Sequence, residues 1–269
     1  MHLGDPITSR ANARVKSLRA SFSGSATRPG ELIGIEGEHL IAEATRSGLA
    51  LETLFVREGS EAMLQRPLLR AVRAGSTVLL SRDVFASAVE TASPQGIAAT
   101  LALPQLTLPA RPRLTLVLED LQDPGNLGTL LRSAEAFGAQ QILATPATVS
   151  EWNPKVVRAS AGSVFRVPVV RAPLTQLAAQ LIREGITAYA AVVQPEGALS
   201  VVETTLTLPC ALMIGNEGAG LSSAAIAIAQ HRLRIPCAVE SLNAGVAGAI
   251  LLYEAMRQML AGQGSEGTA

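Results

Sequence analysis

The sequence predicts an α/β protein in two parts, a small α/β domain followed by a larger one built on a parallel sheet. Three observations predict it. Short apolar runs alternate with amphipathic stretches along most of the 269 residues, and a proline-rich stretch breaks that alternation once. Beyond the break the apolar runs are nearly continuous, as strands covered on both faces require. A chain of this length can bury sizeable cores without disulfides, and 48% hydrophobic residues argue against general disorder.

The opening stretch, 9–20, sets Val15 and Leu18 on one side and Arg10, Arg14 and Lys16 largely elsewhere, with Ser9 available as N-cap. A basic amphipathic helix is expected there. Strand-like runs follow at 32–36, 51–56, 77–80 and 97–103, with helix-like ones at 38–47, 61–73 and 83–90. The segment LPQLTLPARPR at 103–113 holds three prolines that no helix or strand can run through. It reads as a linker, 104–113, between an N-terminal domain, 1–103, and a C-terminal one, 114–269. In the second domain strands are expected at 114–118, 141–144, 165–170, 187–193, 210–214 and 233–235. Helices are expected at 127–137, 155–161, 174–184, 222–229 and 242–260, and the tail GQGSEGTA, 262–269, reads as disordered.

Composition narrows the function. No apolar run approaches the roughly 18 residues of a membrane span, and MHLGDPITSR lacks a signal-peptide profile, so a cytoplasmic protein is expected. Cys210 and Cys237 lack partners at metal-ligand spacing and read as small core residues; no metal is expected. His2, His39 and His231 are too scattered for a triad. The formal charge is zero, which taken alone argues against a nucleic-acid partner. The charge is unevenly spread, however: 1–113 carries net +3 and 114–269 net −3. Arg10, Arg14, Lys16, Arg19 and Arg28 crowd into the first thirty residues. The positive charge is therefore concentrated at the front of the chain, where Arg10, Arg14, Lys16 and Arg19 are the candidate contacts for any nucleic-acid partner.

Three loops in the second half are too polar and too rich in small residues for plain connections. After the strand ending at Leu118 comes EDLQDPGNLG, where Asp123 or Asn126 can cap the next helix and Arg132 follows two turns later. The alternative is an ordinary strand-to-helix turn with Arg132 paired to Glu135 at i, i+3. After Ile214 comes GNEGAGLS, which is neither a Walker A loop nor GxGxxG, so nucleotide phosphates are disfavoured. After Ile235 comes PCAVESLN, where Ser241 or Asn243 can cap the small-residue helix AGVAGAILLYEAM. Gly245, Ala247, Gly248 and Ala249 on that helix permit close packing against a second copy or another element of the same chain.

Together, DPGNLGTLLRSAEAFGA, MIGNEGAGLS and IPCAVESLNAGVAGAILLYEA resemble motifs 1, 2 and 3 of the SpoU/TrmH family of RNA ribose 2′-O-methyltransferases, in order. SRANARVKSLRA, EGEHLIAEA and SPQGIAATLAL resemble the substrate-binding domain that many members carry in front. The resemblance implies a parallel α/β sheet with a deep C-terminal trefoil knot, an L30e-like N-terminal domain, a homodimer, and S-adenosylmethionine as cofactor. It implies cofactor contacts at Gly215, Ile235, Leu242 and the strand end near Val193, and functional polar residues at Asn126, Arg132, Glu217, Ser241 and Asn243. Under it Arg132 stabilises developing charge on the target hydroxyl, oriented by Asn126 and Glu217. Ribosomal RNA, 23S in particular, is the expected substrate; transfer RNA and an inactive RNA-binding module of the same fold are the alternatives. One departure is that only four residues separate Pro236 from Ser241, a shorter loop than is common in the family.

Overall fold

A computed structural model describes residues 3–193 and 196–266. The chain divides into two compact units, one formed by Met1–Gln105 with Ser150–Phe165, the other by Leu106–Val149 with Arg166–Ala269. One change of unit lies between Gln105 and Leu106. The residues 150–165, expected with the second domain, belong to the first.

In the first unit α1 (Ala13–Ser21) precedes β1 (Leu32–Glu36), α2 (Glu38–Arg46), β2 (Leu51–Arg57), β3 (Ala74–Leu80), α3 (Arg82–Ala88) and β4 (Ile97–Ala102), and residues 150–165 add α5 (Pro154–Ala159). The sheet order is β1-β4-β2-β3, with β4 antiparallel to both neighbours and β2 parallel to β3. Asn12, not Ser9, caps α1: its side chain accepts from the Arg14 N–H, while Ser9 Oγ accepts from Ala11 in the turn before. Val15, Leu18, Phe55, Val84 and Phe85 form one buried cluster, each side chain contributing about 1.5–3 kcal/mol. The helix expected at 61–73 is only a short 3-10 turn, Glu61–Gln65, because Pro67 forces Arg66 into extended backbone.

The second unit carries a wholly parallel sheet. Its strands are β5 (Leu114–Leu118), β6 (Gln141–Ala144), β7 (Val169–Arg171), β8 (Thr187–Ala191), β9 (Leu199–Ser200), β10 (Cys210–Ile214) and β11 (His231–Arg234), in the order β7-β6-β5-β10-β8-β11-β9. All five residues of β5 and of β10 are buried, as the unbroken apolar runs predicted. Ser163–Phe165 is a 3-10 turn and the strand starts after Pro168, so the run at 165–170 pairs over only Val169–Arg171. The two-residue β9 had no sequence signal. Among the described residues no helix is long and apolar enough to cross a membrane.

Helices cover both faces. Leu177 and Leu181 of α6 (Leu174–Arg183) and Ala225 of α7 (Ser223–Ile228) pack with Val117, Leu143, Ala188, Ala211 and Met213 on one side. On the other lie α4 (Pro124–Ala136) and α8 (Ala244–Glu266), which pack on each other, α8 also touching β10. Small residues make that approach possible: a Cβ on Gly248 would overlap Leu130 Cδ2 and lie 3.6 Å from Ile214 Cγ1. The small-residue surface thus meets another element of its own chain. Helix α8 also runs on through Gly262 to Glu266, where disorder was expected; the rest of the tail, 267–269, lies outside the described residues.

The cysteines divide. Cys210 lies buried in β10, where burial pushes its thiol up to about 12, whereas Cys237 is exposed and not a core residue. A thiol-reactive disulfide reagent at neutral pH should therefore titrate Cys237 in the native protein and Cys210 only after unfolding; rapid native reaction of both would contradict this placement.

Candidate active site

Adjacent strands β5, β10, β8 and β11 end on the same side of one parallel sheet; the polar loops follow three of them, 119–126 after β5, 215–222 after β10 and 235–243 after β11, and the valines 192–193 follow β8. That is where open parallel sheets place ligands. The first two loops are tied together step by step. The buried carboxylate of Glu119 accepts from Ser222 N at 2.7 Å and Ser222 Oγ at 2.6 Å, and Ser222 Oγ in turn caps α7 by accepting from Ala225 N. Asn216 Nδ2 donates to the Asp120 carbonyl at 2.9 Å. Asp120 holds a left-handed backbone, φ 52°, steadied by Thr145, whose Oγ1 accepts from its N–H and donates to its carboxylate.

The third tie is the most concentrated. Glu217 Oε2 accepts from Gln122 N at 3.1 Å, and Oε1 accepts from Asp123 N at 2.9 Å and Asn126 Nδ2 at 3.0 Å. Partial burial pushes this carboxyl up, but the Asn126 amide and the backbone N–H groups outweigh it and hold it below its ordinary value. Asp123 caps α4 by accepting from Asn126 N at 2.8 Å, with Pro124 in the first helical turn, where a missing N–H costs nothing. So the side chain of Asn126, only 7% exposed, faces Glu217 because its backbone is fixed by the cap.

Loop 215–222 is closed on itself. Asn216 and Gly220 exchange backbone hydrogen bonds, and Asn216 Oδ1 accepts from Gly218 N and Ala219 N. A Cβ on Gly215 would overlap the backbone of Gly220 and Leu221, so no other residue fits there. The third loop joins through Gly245 of α8, whose Cβ would lie 3.2 Å from both Asn126 Oδ1 and Asn243 Oδ1. Asn243, not Ser241, caps α8, accepting from Val246 N at 3.2 Å.

The structure therefore gathers Asn126, Glu217, Asn243 and Gly215, and leaves others apart. Arg132 is exposed on α4 and makes no hydrogen bond or ion pair with any described residue; neither Asn126 nor Glu217 touches it. The alternative pairing of Arg132 with Glu135 is not made either; Arg166 takes that carboxylate. Ser241 is exposed without a partner among the described residues. Ile235 and Leu242 are half-buried at the two ends of the third loop, and Val193 is exposed beyond β8. In the first unit Arg10, Arg14 and Lys16 are exposed and their side chains bond none of the described residues, whereas Arg19 is committed to Ser87, donating to its carbonyl at 3.0 Å and its hydroxyl at 3.3 Å. Sequence reasoning missed Glu119, Asp120 and Asn216 as loop-builders; the only signal was polar residues directly after two buried strands.

The residues around these strand ends fit S-adenosylmethionine. The segments 192–197, 215–222 and 235–243 contain no Lys or Arg but three glutamates, Glu196, Glu217 and Glu240, which suits a sulfonium cation and disfavours a pyrophosphate. Ile235, Leu242 and Val193 offer apolar surface, and Gly215 lets the 215–222 loop close on itself beside them.

Comparison with known proteins agrees with this geometry. Residues 113–253 match the model of the SpoU rRNA Methylase family, and 12–99 match that of the MRM3-like substrate binding domain. The chain is 35% identical to an uncharacterized tRNA/rRNA methyltransferase of Synechocystis, over 95% of this chain and 94% of that one. It is 33% identical to the 23S rRNA (guanosine(2553)-2′-O)-methyltransferase RlmP of Bacillus subtilis, over 92% and 97%. Among solved structures, the SpoU methyltransferase AviRb from Streptomyces viridochromogenes in complex with AdoMet superposes with a TM-score of 0.78 at 28% identity, covering 93% of this chain and 98% of that one.

Because its lowered pKa makes Glu217 a stabilising group only while ionised, its contribution is complete above about pH 4.5 and is lost as pH falls through the folded-state value. Glu217→Gln, which keeps one acceptor and turns an amide toward N–H donors, should melt lower than wild type at neutral pH, and the gap should close below pH 4.5. Melting curves that stay equally separated throughout the acid range would show that the carboxylate charge is not what holds the loops.

Proposed function

As the chain belongs to the SpoU rRNA Methylase family, we propose that it transfers a methyl group from S-adenosylmethionine to a ribose 2′-hydroxyl of ribosomal RNA, acting in the cytoplasm. The observation that carries this reading is the convergence of three loops at one end of a parallel sheet, joined through Glu217, Asn126 and Asn243. Named 23S rRNA 2′-O-methyltransferases among its relatives point to 23S rRNA as the substrate.

Gly215, Ile235, Leu242 and the segment near Val193 would hold the cofactor, which when bound supplies an electrophilic methyl on sulfur. The chain's own task is placement and charge. Glu217 and Asn126 fix the start of α4 and so the helix that carries Arg132. Arg132 contacts the target hydroxyl or its adjacent phosphate. Its guanidinium stays protonated, so it stabilises negative charge developing on the oxygen rather than taking the proton, which passes to an RNA phosphate or another group. Asn243 orders the third loop by capping α8, and Ser241 with its free hydroxyl contacts the target nucleotide.

Two subunits complete the enzyme in this reading. Arg132 stands apart from the Asn126–Glu217 pair, and α8 exposes Val246, Ile250 and Tyr253 at helical spacing on the unit that carries the site. Both features support a homodimer in which each subunit presents Arg132 to the cofactor held by the other. The knotted passage implied by the family resemblance is supported by the connectivity, in which β10 inserts between β5 and β8, and β11 between β8 and β9. The basic front of the first unit, Arg10, Arg14 and Lys16, meets RNA, while Arg19 fastens α1 to α3.

Arg132→Ala should lose at least about a hundredfold in methyl transfer to 23S rRNA, the scale of removing one oxyanion donor, with S-adenosylmethionine binding unchanged by calorimetry; a wild-type rate would refute the role. Replacing Arg10, Arg14 and Lys16 together by alanine should weaken RNA binding and flatten the slope of log K against log salt by roughly 2–3, about 0.7–0.9 for each phosphate no longer neutralised. An unaltered slope would exclude these three residues from the RNA-binding surface.

A further inference from the structure

Arg132 sits one helical turn from a carboxylate that would be its natural partner. Glu135 is at i+3 on the same face of α4, the spacing at which Arg and Glu side chains meet. The structure does not pair them. Arg166, just after the segment 150–165, reaches Glu135 with its planar fork: Nε bonds Oε1 and Nη2 bonds Oε2 at 3.0 Å. The fork engages both carboxylate oxygens, a geometry that a flexible neighbour on the same helix does not match. Both partners are about two-thirds buried at 34% side-chain exposure, which limits screening of the pair.

We infer that Arg166 is a positioning residue for methyl transfer: by occupying Glu135 it keeps Arg132 unpaired and available to the RNA. The inference rests on the role of Arg132 proposed above. The chemistry is a competition for one guanidinium. An exposed Arg held by a carboxylate must break that pair before it can serve a phosphate or a developing oxyanion. A carboxylate left uncompensated close by also raises the energy of negative charge forming on the ribose oxygen. Glu135 in turn gains from the pairing, because a bare carboxylate in the last turn of a helix opposes the helix dipole, and Arg166 neutralises it. The same ion pair thus steadies the C-terminal end of α4 and clears the guanidinium three residues earlier.

The test is kinetic and uses the full-length protein with ribosomal RNA at saturation. Arg166→Ala should lower kcat about three- to tenfold with KM for S-adenosylmethionine unchanged. Adding Glu135→Gln to it should restore most of the rate, and Glu135→Gln alone should run near wild type. Rescue by removal of a second side chain is what a merely structural role of the pair would not give, since deleting both partners leaves the packing no better than deleting one. Arg166→Lys, with charge but no fork, should fall between, and guards against the alanine variant failing to fold. A wild-type kcat in Arg166→Ala, or a double variant as slow as the single one, overturns the inference. Arg132→Ala assayed alongside separates the two claims. If it is inactive while Arg166→Ala is normal, only the present inference falls; if it is fully active, the role of Arg132 itself falls.

Discussion

One carboxylate holds the catalytic unit in register. Glu217 reaches from the loop after β10 to two successive backbone N–H groups and the Asn126 side chain at the start of α4. Backbone donors at a helix start have no intrahelical partner and must be satisfied by something outside the helix. Here that partner belongs to a different strand's loop, so the direction of α4, and with it the place of Arg132, is set by the position of β10 in the sheet. Glu119 with Ser222 and Asp120 with Asn216 repeat the tie on the strand side, so the loop after β5 is bound to that after β10 at three successive points. A loop bound this densely needs no ligand to acquire its shape, and a site organised beforehand loses less entropy when it engages its substrate.

The second constraint is steric. Gly248 lets α8 lie against Leu130, and Gly245 lets Asn243 come beside Asn126. Had either position carried a side chain, the helix that begins at the third loop would stand off from α4, and the three loops would end near one another without meeting. The closed turn at Gly215 works in the same way at shorter range. Here the small residues bring together side chains that are far apart in sequence.

How much of this could be read from the chain depends on the range of the interaction. The buried strands β5 and β10 and the cap at Asp123 were legible because apolar runs and capping residues act within a few positions. The helix expected at 61–73 failed on Pro67, a local signal outweighed in the reading by the surrounding apolar pattern. The site residues were legible only as motifs; what each does was less so. Glu217 was expected to orient Arg132, and the bonds it makes are to the start of the helix that carries Arg132; Glu135 was the alternative partner of Arg132, but Arg166, 31 residues from Glu135 in sequence, takes it. Spacing rules describe what a helix offers its own side chains and are blind to a competitor arriving from another element. For the same reason the sequence divided the chain at the linker and could not assign 150–165 to the earlier unit.

The strand order carries a consequence for how the molecule is made. β5 and β8 never pair with each other; β10 lies between them, and β11 likewise separates β8 from β9. A nascent chain that has emerged only as far as β9 therefore holds β7, β6 and β5 paired but β8 and β9 each without a neighbour, with a vacant slot on either side of β8, and the edges facing those slots are interior ones. Bare edges of that kind invite pairing with other chains, and the strands that fill the slots come from the last quarter of the sequence. Synthesis that stalls before residue 210 would thus leave a sticky partial sheet rather than a smaller stable protein, a vulnerability that belongs to the ribosome-bound stage and vanishes once β10 and β11 are seated.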